Sequence, residues 1–425
     1  MMSKNSHTFP EMALVRQRLW CSPVEDVAGA VETAFAGSPD IQRASAGDSV
    51  AVAVGSRGIH AIDIIVRACV DGLKEKGLKP FLFPAMGSHG NATPQGQAAV
   101  LAGYGITEDT MGVPIATAME TDCVGTLDCG MDVFFSRVAL SADWILPVNR
   151  IKPHTKFSGP IESGLAKMLA VGAGKTEGAA AIHRQAVHSS FAVIEQAAAV
   201  ILEKCNILCG LAILEDGCGN TAQVAAVSPE SLLDDEKKLL KKAYKMLPRI
   251  PFDHVDVLVV DRIGKDISGI GMDSNVTGRH RDITGDFYTH PHAKRILVRD
   301  LSPASAGNAN GIGLADVTTT RLLNAVDREK TYKNALTAVS PEKAALPMAF
   351  DCDRDALAAC CRSCGLEAGT GARIIRIQDT ASLETFFVSR AFEDELHAAK
   401  TVEQVTDWRP IGFDAAGNFE DLYAI

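Results

Sequence analysis

The sequence predicts an α/β fold in two domains, each a sheet flanked by helices, on three observations. Its 425 residues exceed the roughly 250–300 at which a single hydrophobic core stops growing. From about residue 48 one pattern repeats: a short apolar run, a glycine-rich turn, and an amphipathic stretch closed by glycine or lysine, as α/β units require. A lysine-rich helical stretch is then stopped by the prolines of Met246-Leu247-Pro248-Arg249-Ile250-Pro251, and a new apolar run opens at Val255. We therefore expect residues 1–250 to form a first α/β domain carrying the chemistry, and 251–405 a second contributing substrate contacts. Residues 406–425 are expected to form a tail packed back on the first domain. The active site is expected in the cleft between domains, where concave pockets concentrate.

Taken in order, residues 50–54 read as a buried strand and Gly55-Ser56-Arg57-Gly58 as its turn. Residues 61–76 form an amphipathic helix closed by Gly77. A second strand over 80–85 leads to another glycine-rich turn, Gly87-Ser88-His89-Gly90. Apolar runs at 144–148 and 208–214 give further strands, and helical periodicity covers 190–203 and 229–245. After a strand over 255–260 comes a long polar, glycine-rich connection over 261–289, a length usually reserved for functional loops. No repeat at solenoid or propeller spacing is present.

Composition narrows the function. Hydrophobic residues at 47% and charged residues at 22% are ordinary for a folded chain. A net charge of −10 and a pI near 5.6, with no basic stripe, argue against a nucleic-acid partner. The opening MMSKNSHTFPEMALVRQRLW has no apolar core of signal-peptide length, and no run approaches the ~20 residues of a membrane span. No membrane association and a cytoplasmic location are the expectation. Eleven scattered cysteines fit reduced thiols. Cys360, Cys361 and Cys364 lack a second group at metal-ligand spacing and read as structural, as do Cys205, Cys209 and Cys218 in apolar surroundings.

In open α/β sheets ligands bind beyond the carboxyl ends of strands, so the turns after strands are the first suspects. One presents Arg57, a planar guanidinium suited to a carboxylate or phosphate. Another presents His89 between residues that let a ligand approach the backbone. The third is the run NRIKPHTKFSGPIESGLAKMLAVGAGKTEGAAAIH over 149–183. Each alone has a plain structural reading, as a surface pair, a hydrogen-bonded turn or a tight connection. Neither glycine-rich turn matches the dinucleotide fingerprint or the phosphate loop.

The third run resembles the nickel-pincer lactate racemases, in which a loop histidine is followed by a lysine in a Gly-x-x-Lys setting and then a second histidine. Here these are His154 in Lys152-Pro153-His154-Thr155, Lys167 in Gly164-Leu165-Ala166-Lys167, and His183. The separation 183 − 167 = 16 matches the family spacing, and Arg57 and His89 fall where the family has a substrate-binding arginine and a catalytic histidine. The resemblance implies a 2-hydroxyacid racemase or epimerase. Its cofactor would be the pyridinium-3-thioamide-5-thiocarboxylic acid mononucleotide bearing nickel, attached to Lys167, with His183 as protein ligand and Ser56 and Arg57 against the nucleotide. Imidazole and sulfur ligands suit a square-planar nickel centre. His89 and His154 would be the two general bases, one per enantiomer. Hydride would leave the substrate carbon as the hydroxyl proton is taken, and its return to the other face inverts the centre. Small 2-hydroxy acids and the cofactor-making enzymes are the implied partners.

The chain also departs from the family. The separation from His154 to Lys167 is 167 − 154 = 13, longer than the family spacing, and the stretch carries Lys156 and Glu162. Lys175 is a rival tether at the wrong distance from His183. In the second domain, GIGMDSNVTGRHR offers Arg279 and Asn275 for the substrate carboxylate, against the reading of a solvated polar loop. The extra cations Arg150, Lys152 and Lys156 suggest a larger or more acidic substrate. Competing readings are an aldonic-acid 2-epimerase, a cofactor- or metal-binding protein of the same fold without racemase activity, and a zinc hydrolase using His89, His154 and His183.

Overall fold

The computed structural model describes residues 8–56, 58–366 and 370–420. They divide into two compact units: residues 20–154 with 158–247, and residues 8–19 with 155–157 and 248–420. Both are mixed α/β, with helices flanking their main sheets.

The first of these units holds a five-stranded sheet in the order Lys79–Pro84, Ser49–Val54, Trp144–Arg150, Gly210–Glu215, Thr221–Val227. Four strands are parallel, and the last returns antiparallel. Ser49–Val54 reads as an unbroken apolar run because both of its faces are covered. Val50, Val52 and Val54 join a core with Phe35 of helix Val27–Ala36 and with Ile62, Ile65 and Val66 of helix Ile62–Glu75. The alternate positions are small: Ala51 and Ala53 are fully buried, and a Cβ on Gly210 would stand 2.6 Å from Leu165 Cδ1. Small residues there let a second layer lie close on the sheet. That layer runs from helical turn Leu165–Lys167 through a π-helical segment, Met168–Gly172, to helix Lys175–Ser189.

The other unit has an eight-stranded sheet in the order Met348–Phe350, Val317–Thr319, Ala293–Leu301, Val255–Ile263, Ile374–Ile377, Thr385–Ser389, Met12–Gln17, Val402–Gln404. The first five strands are parallel and the remaining pairings antiparallel. Alternation divides Val255–Ile263 between two cores, with Leu258 and Val260 facing one and Val257 and Val259 the other. The long polar connection is partly structured. It holds a helical turn, Ser274–Thr277, and a two-residue pairing of Arg279–His280 with Phe287–Tyr288.

Three expectations are corrected. The N-terminal residues do not join the first domain: Met12–Gln17 pairs with Thr385–Ser389 and Val402–Gln404, so they complete the other sheet. The tail joins that same unit, through a bridge from Arg409 to Met12 and Phe419 in its core. Hydrophobic pattern alone could not assign a lone strand at a chain end to a sheet built hundreds of residues later. The thiols are not all reduced, since Cys21 and Cys218 form a disulfide. Both are exposed, brought together by Gly217 N–H donating to the Trp20 carbonyl at 2.8 Å and Ser22 N–H to Asp216 at 2.9 Å. Cys360 and Cys361 lie in the core on helix Asp353–Ser363, where burial pushes the Cys361 thiol up to about 12. Among the described residues no helix is long and apolar enough to cross a membrane.

Candidate active site at the carboxyl ends of a parallel sheet

Two turns leave the carboxyl ends of adjacent strands. After Ser49–Val54, Gly55 leads to Ser56, while Arg57 lies outside the described residues. After Lys79–Pro84, the chain turns at Gly87, whose φ of +58° favours glycine, to reach the exposed His89. Ser56 Oγ is hydrogen-bonded to His89 Nδ1, and Tyr104 Oη donates to the Ser56 carbonyl at 2.7 Å. The two turns thus meet. Behind them, the fully buried Gln97 donates through Nε2 to the carbonyls of Gly87 (2.9 Å) and His89 (3.3 Å). Its Oε1 accepts from Lys175 Nζ at 3.0 Å, and Lys175 also donates to the Pro84 carbonyl at 2.6 Å. Lys175 is fully buried, which pushes its amine down to about 8. The rival for the tether is therefore a strut under the His89 turn.

The third run folds back on itself. Lys152 and Ser163 exchange backbone hydrogen bonds at 2.9 and 3.3 Å, closing a loop between them. Glu162, fully buried, holds the loop's interior: its carboxylate accepts from His154 N–H (2.5 Å), Gly159 N–H (3.0 Å) and Tyr244 Oη (2.7 Å). Burial raises its pKa despite these donors. The extra length between His154 and Lys167 is thereby wound around one carboxylate. His154 Nε2 meets Lys167 Nζ in a hydrogen bond. A lysine ammonium only donates, so His154 Nε2 accepts. Beneath them, Asn149 Nδ2 donates to the Gly164 carbonyl at 2.7 Å and Glu236 accepts from Ala166 N–H at 2.8 Å. Burial raises Glu236 to about 7.

The segment that follows Lys167 touches both turns. Met168 Cε would lie 3.2 Å from a Cβ on Gly55, and the Gly172 carbonyl accepts from Gly87 N–H at 3.0 Å. Thus Ser56, His89, His154 and Lys167 are disposed around Met168–Gly172. His183 is half-buried on the next helix, with Phe191 edge-on at 6.1 Å.

Other expected site residues have different employment. Arg279 pairs with Asp316 at 2.6 Å and donates to the carbonyls of Leu314, Ala293 and Lys294 at 3.0–3.3 Å. Its side chain, 12% exposed, is a brace between strands and has no terminal N–H group left for a substrate carboxylate. Asn275 Nδ2 donates to Asp273 at 3.1 Å within the local turn. Of the cations taken to suggest an acidic substrate, Arg150 pairs with Glu215, and Lys156 is buried against the Ala338 carbonyl and 3.7 Å from Asp282. Those charges are answered internally. Gln97, Glu162, Tyr244 and Glu236 were not singled out as supports by sequence reasoning.

The class this architecture defines is an α/β fold with a candidate site at strand ends. No family model matches the chain, nor does any curated protein. Among solved structures, the fold is similar to that of the lactate racemase apoprotein from Thermoanaerobacterium thermosaccharolyticum, with a TM-score of 0.55 and 12% identity over 87% of this chain and 94% of that one. A Thermotoga maritima protein of known crystal structure overlaps at a TM-score of 0.47 and 17% identity, over 66% of this chain and 72% of its own. What is common at such identities is the fold, and the first of these carries it.

Proposed function

We propose that the chain is a racemase or epimerase of a 2-hydroxy acid that works with a nickel-pincer nucleotide attached to Lys167. The observation that carries this reading is the hydrogen bond between His154 Nε2 and Lys167 Nζ at the carboxyl end of the sheet, in a chain folded like lactate racemase apoprotein. Two donors of the kinds the cofactor needs are present, the Lys167 amine on a half-buried helical turn and the half-buried imidazole of His183 on the following helix. When bound, the nickel-pincer nucleotide supplies a reversible hydride acceptor beside the substrate carbon.

The chain's own residues do the rest. Lys167 must give up its proton to carry the cofactor, and His154 Nε2, which accepts from Lys167 Nζ, would take it. With the cofactor in place the same nitrogen would take the hydroxyl proton of one enantiomer, and His89 that of the other. Ser56 Oγ on His89 Nδ1 fixes that ring and makes Nε2 the working nitrogen. Glu162 and Tyr244 hold His154 through its backbone. We place the loading enzymes among its partners and the chain in the cytoplasm with them.

Co-production with the family's cofactor-making enzymes tests the reading through intact mass and nickel content. Wild type gains the mass of the nucleotide with nickel, and Lys167→Ala does not. An unmodified wild-type mass beside working accessory enzymes, proven on a lactate racemase loaded in parallel, would overturn it.

A further inference from the structure

We propose that Asp253, His254 and His292 form a site for one divalent transition-metal ion, independent of the racemase reading. They stand where the chain enters two neighbouring strands, Val255–Ile263 and Ala293–Leu301. The parallel register pairs Ala293 with Val255, so residues separated by 292 − 254 = 38 positions become neighbours. One donor atom from each of the three lies within 4.8 Å of the others.

The arrangement is built. Asp253 Oδ1 accepts the N–H groups of His254 (2.8 Å) and His292 (2.7 Å), which fixes the carboxylate. His292 Nδ1 stands 2.9 and 3.0 Å from the two carboxylate oxygens. Ligands bound about 2.1 Å from one ion at octahedral or tetrahedral angles are roughly 3.0–3.4 Å apart. The rings of His254 and His292 lie 5.8 Å apart and 20° from parallel. Arg373 grips the loop through the carbonyls of His254 (2.7 Å) and Asp253 (3.0 Å), and Glu395 answers its charge at 2.8 Å.

His290 stands at the edge of the cluster, its Nε2 2.8 Å from the Ile250 carbonyl and its Nδ1 3.6 Å from Asp253 Oδ2. Imidazole-rich donors favour zinc, cobalt, nickel or copper over magnesium or calcium. Side-chain exposures of 55% for His292 and 32% for Asp253 leave solvent access for the ion and for water in its remaining positions.

Titration of the tag-free, unmodified protein with zinc chloride, followed calorimetrically, tests the site. Wild type binds one equivalent more than His254→Ala/His292→Ala, and Asp253→Asn shows the same loss. His154→Ala/His183→Ala keeps that equivalent, because those residues belong to the other site. Equal zinc stoichiometry in wild type and the His254/His292 variant, both with native circular dichroism, overturns the proposal. Loss confined to the His154/His183 variant overturns it as well and leaves the racemase reading untouched. The two histidines are exposed, so their removal does not threaten folding.

Discussion

Glu236 lies wholly inside the molecule, under the turn that carries Lys167, with its carboxylate accepting from Ala166 N–H. Two effects oppose each other there. Burial disfavours the charge, while the amides at the start of the helical turn favour it, an effect usually worth about 0.3–2 kcal/mol. Burial dominates, raising the carboxyl from 4.5 to about 7. Between those values the folded protein binds a proton that the unfolded chain has lost, so stability falls as pH rises through the window. Above it the full cost persists, and below 4.5 the cost is absent. With 7 − 4.5 = 2.5 units at 1.36 kcal/mol each, the swing is about 3 kcal/mol. Glu236→Gln cannot ionise and keeps the volume and a carbonyl for Ala166. Urea denaturation of both proteins from pH 4.5 to 8 should therefore show the variant's stability, relative to wild type, rising by about 3 kcal/mol. All other groups titrate alike in both and cancel in the difference. Parallel curves would mean that the helix-start amides offset burial, and would refute the reasoning.

Three further outcomes are expected. Glu162→Ala leaves two backbone N–H groups and the Tyr244 hydroxyl without their acceptor, at about 1–3 kcal/mol for each group kept from water; thermal melting should fall well below that of Tyr244→Phe, which loses one hydrogen bond. A Cβ at Gly172 would stand 2.5 Å from the Ala85 carbonyl oxygen, so Gly172→Ala must push the segment off the sheet, at roughly 1–3 kcal/mol, and nickel loading should fall with stability. Protein made in an ordinary expression host should be of unmodified mass and without racemase activity, whereas loaded His89→Asn should keep the cofactor mass and lose turnover by about 10²-fold or more, and His154→Asn, which lacks the group that takes the Lys167 proton, should carry less of the cofactor mass as well; full activity from unloaded material would contradict the cofactor assignment.

The sheet that positions the site was readable because its strands are short apolar runs closed by glycine turns, and observed bounds such as Trp144–Arg150 and Ile62–Glu75 fall close to those expected. Registry between distant segments was not. Nothing local in Met12–Gln17 announces a partner at Thr385–Ser389, and the closure of Cys21 on Cys218 depends on a turn between strands. Arg279 shows the converse error. An arginine in a polar, glycine-rich loop reads as a ligand for anions, yet the fold places Asp316 and three carbonyls around it. Charge in sequence is a supply, and only tertiary structure says which acceptor uses it.

The supports of the site, by contrast, did leave a sequence signal of a kind that periodicity can find. In helix Leu232–Met246 the buried stripe runs Leu232, Glu236, Leu239, Leu240, Ala243, so a carboxylate occupies a position whose spacing marks it as core. Gln97 shares the buried side of helix Pro94–Ala102 with Leu101 in the same way. A polar residue on an apolar stripe must find a partner or pay the cost of desolvation. Both find backbone at the two places where the site chain turns: Gln97 at the carbonyls of Gly87 and His89, and Glu236 at the amide one residue before Lys167. Reading helices for polar interruptions of the core face locates Glu236, whereas Gln97, on a helix whose one buried apolar residue is Leu101, and the distinction between Lys175, bonded to Gln97, and Lys167, whose amine meets a histidine, come from the fold.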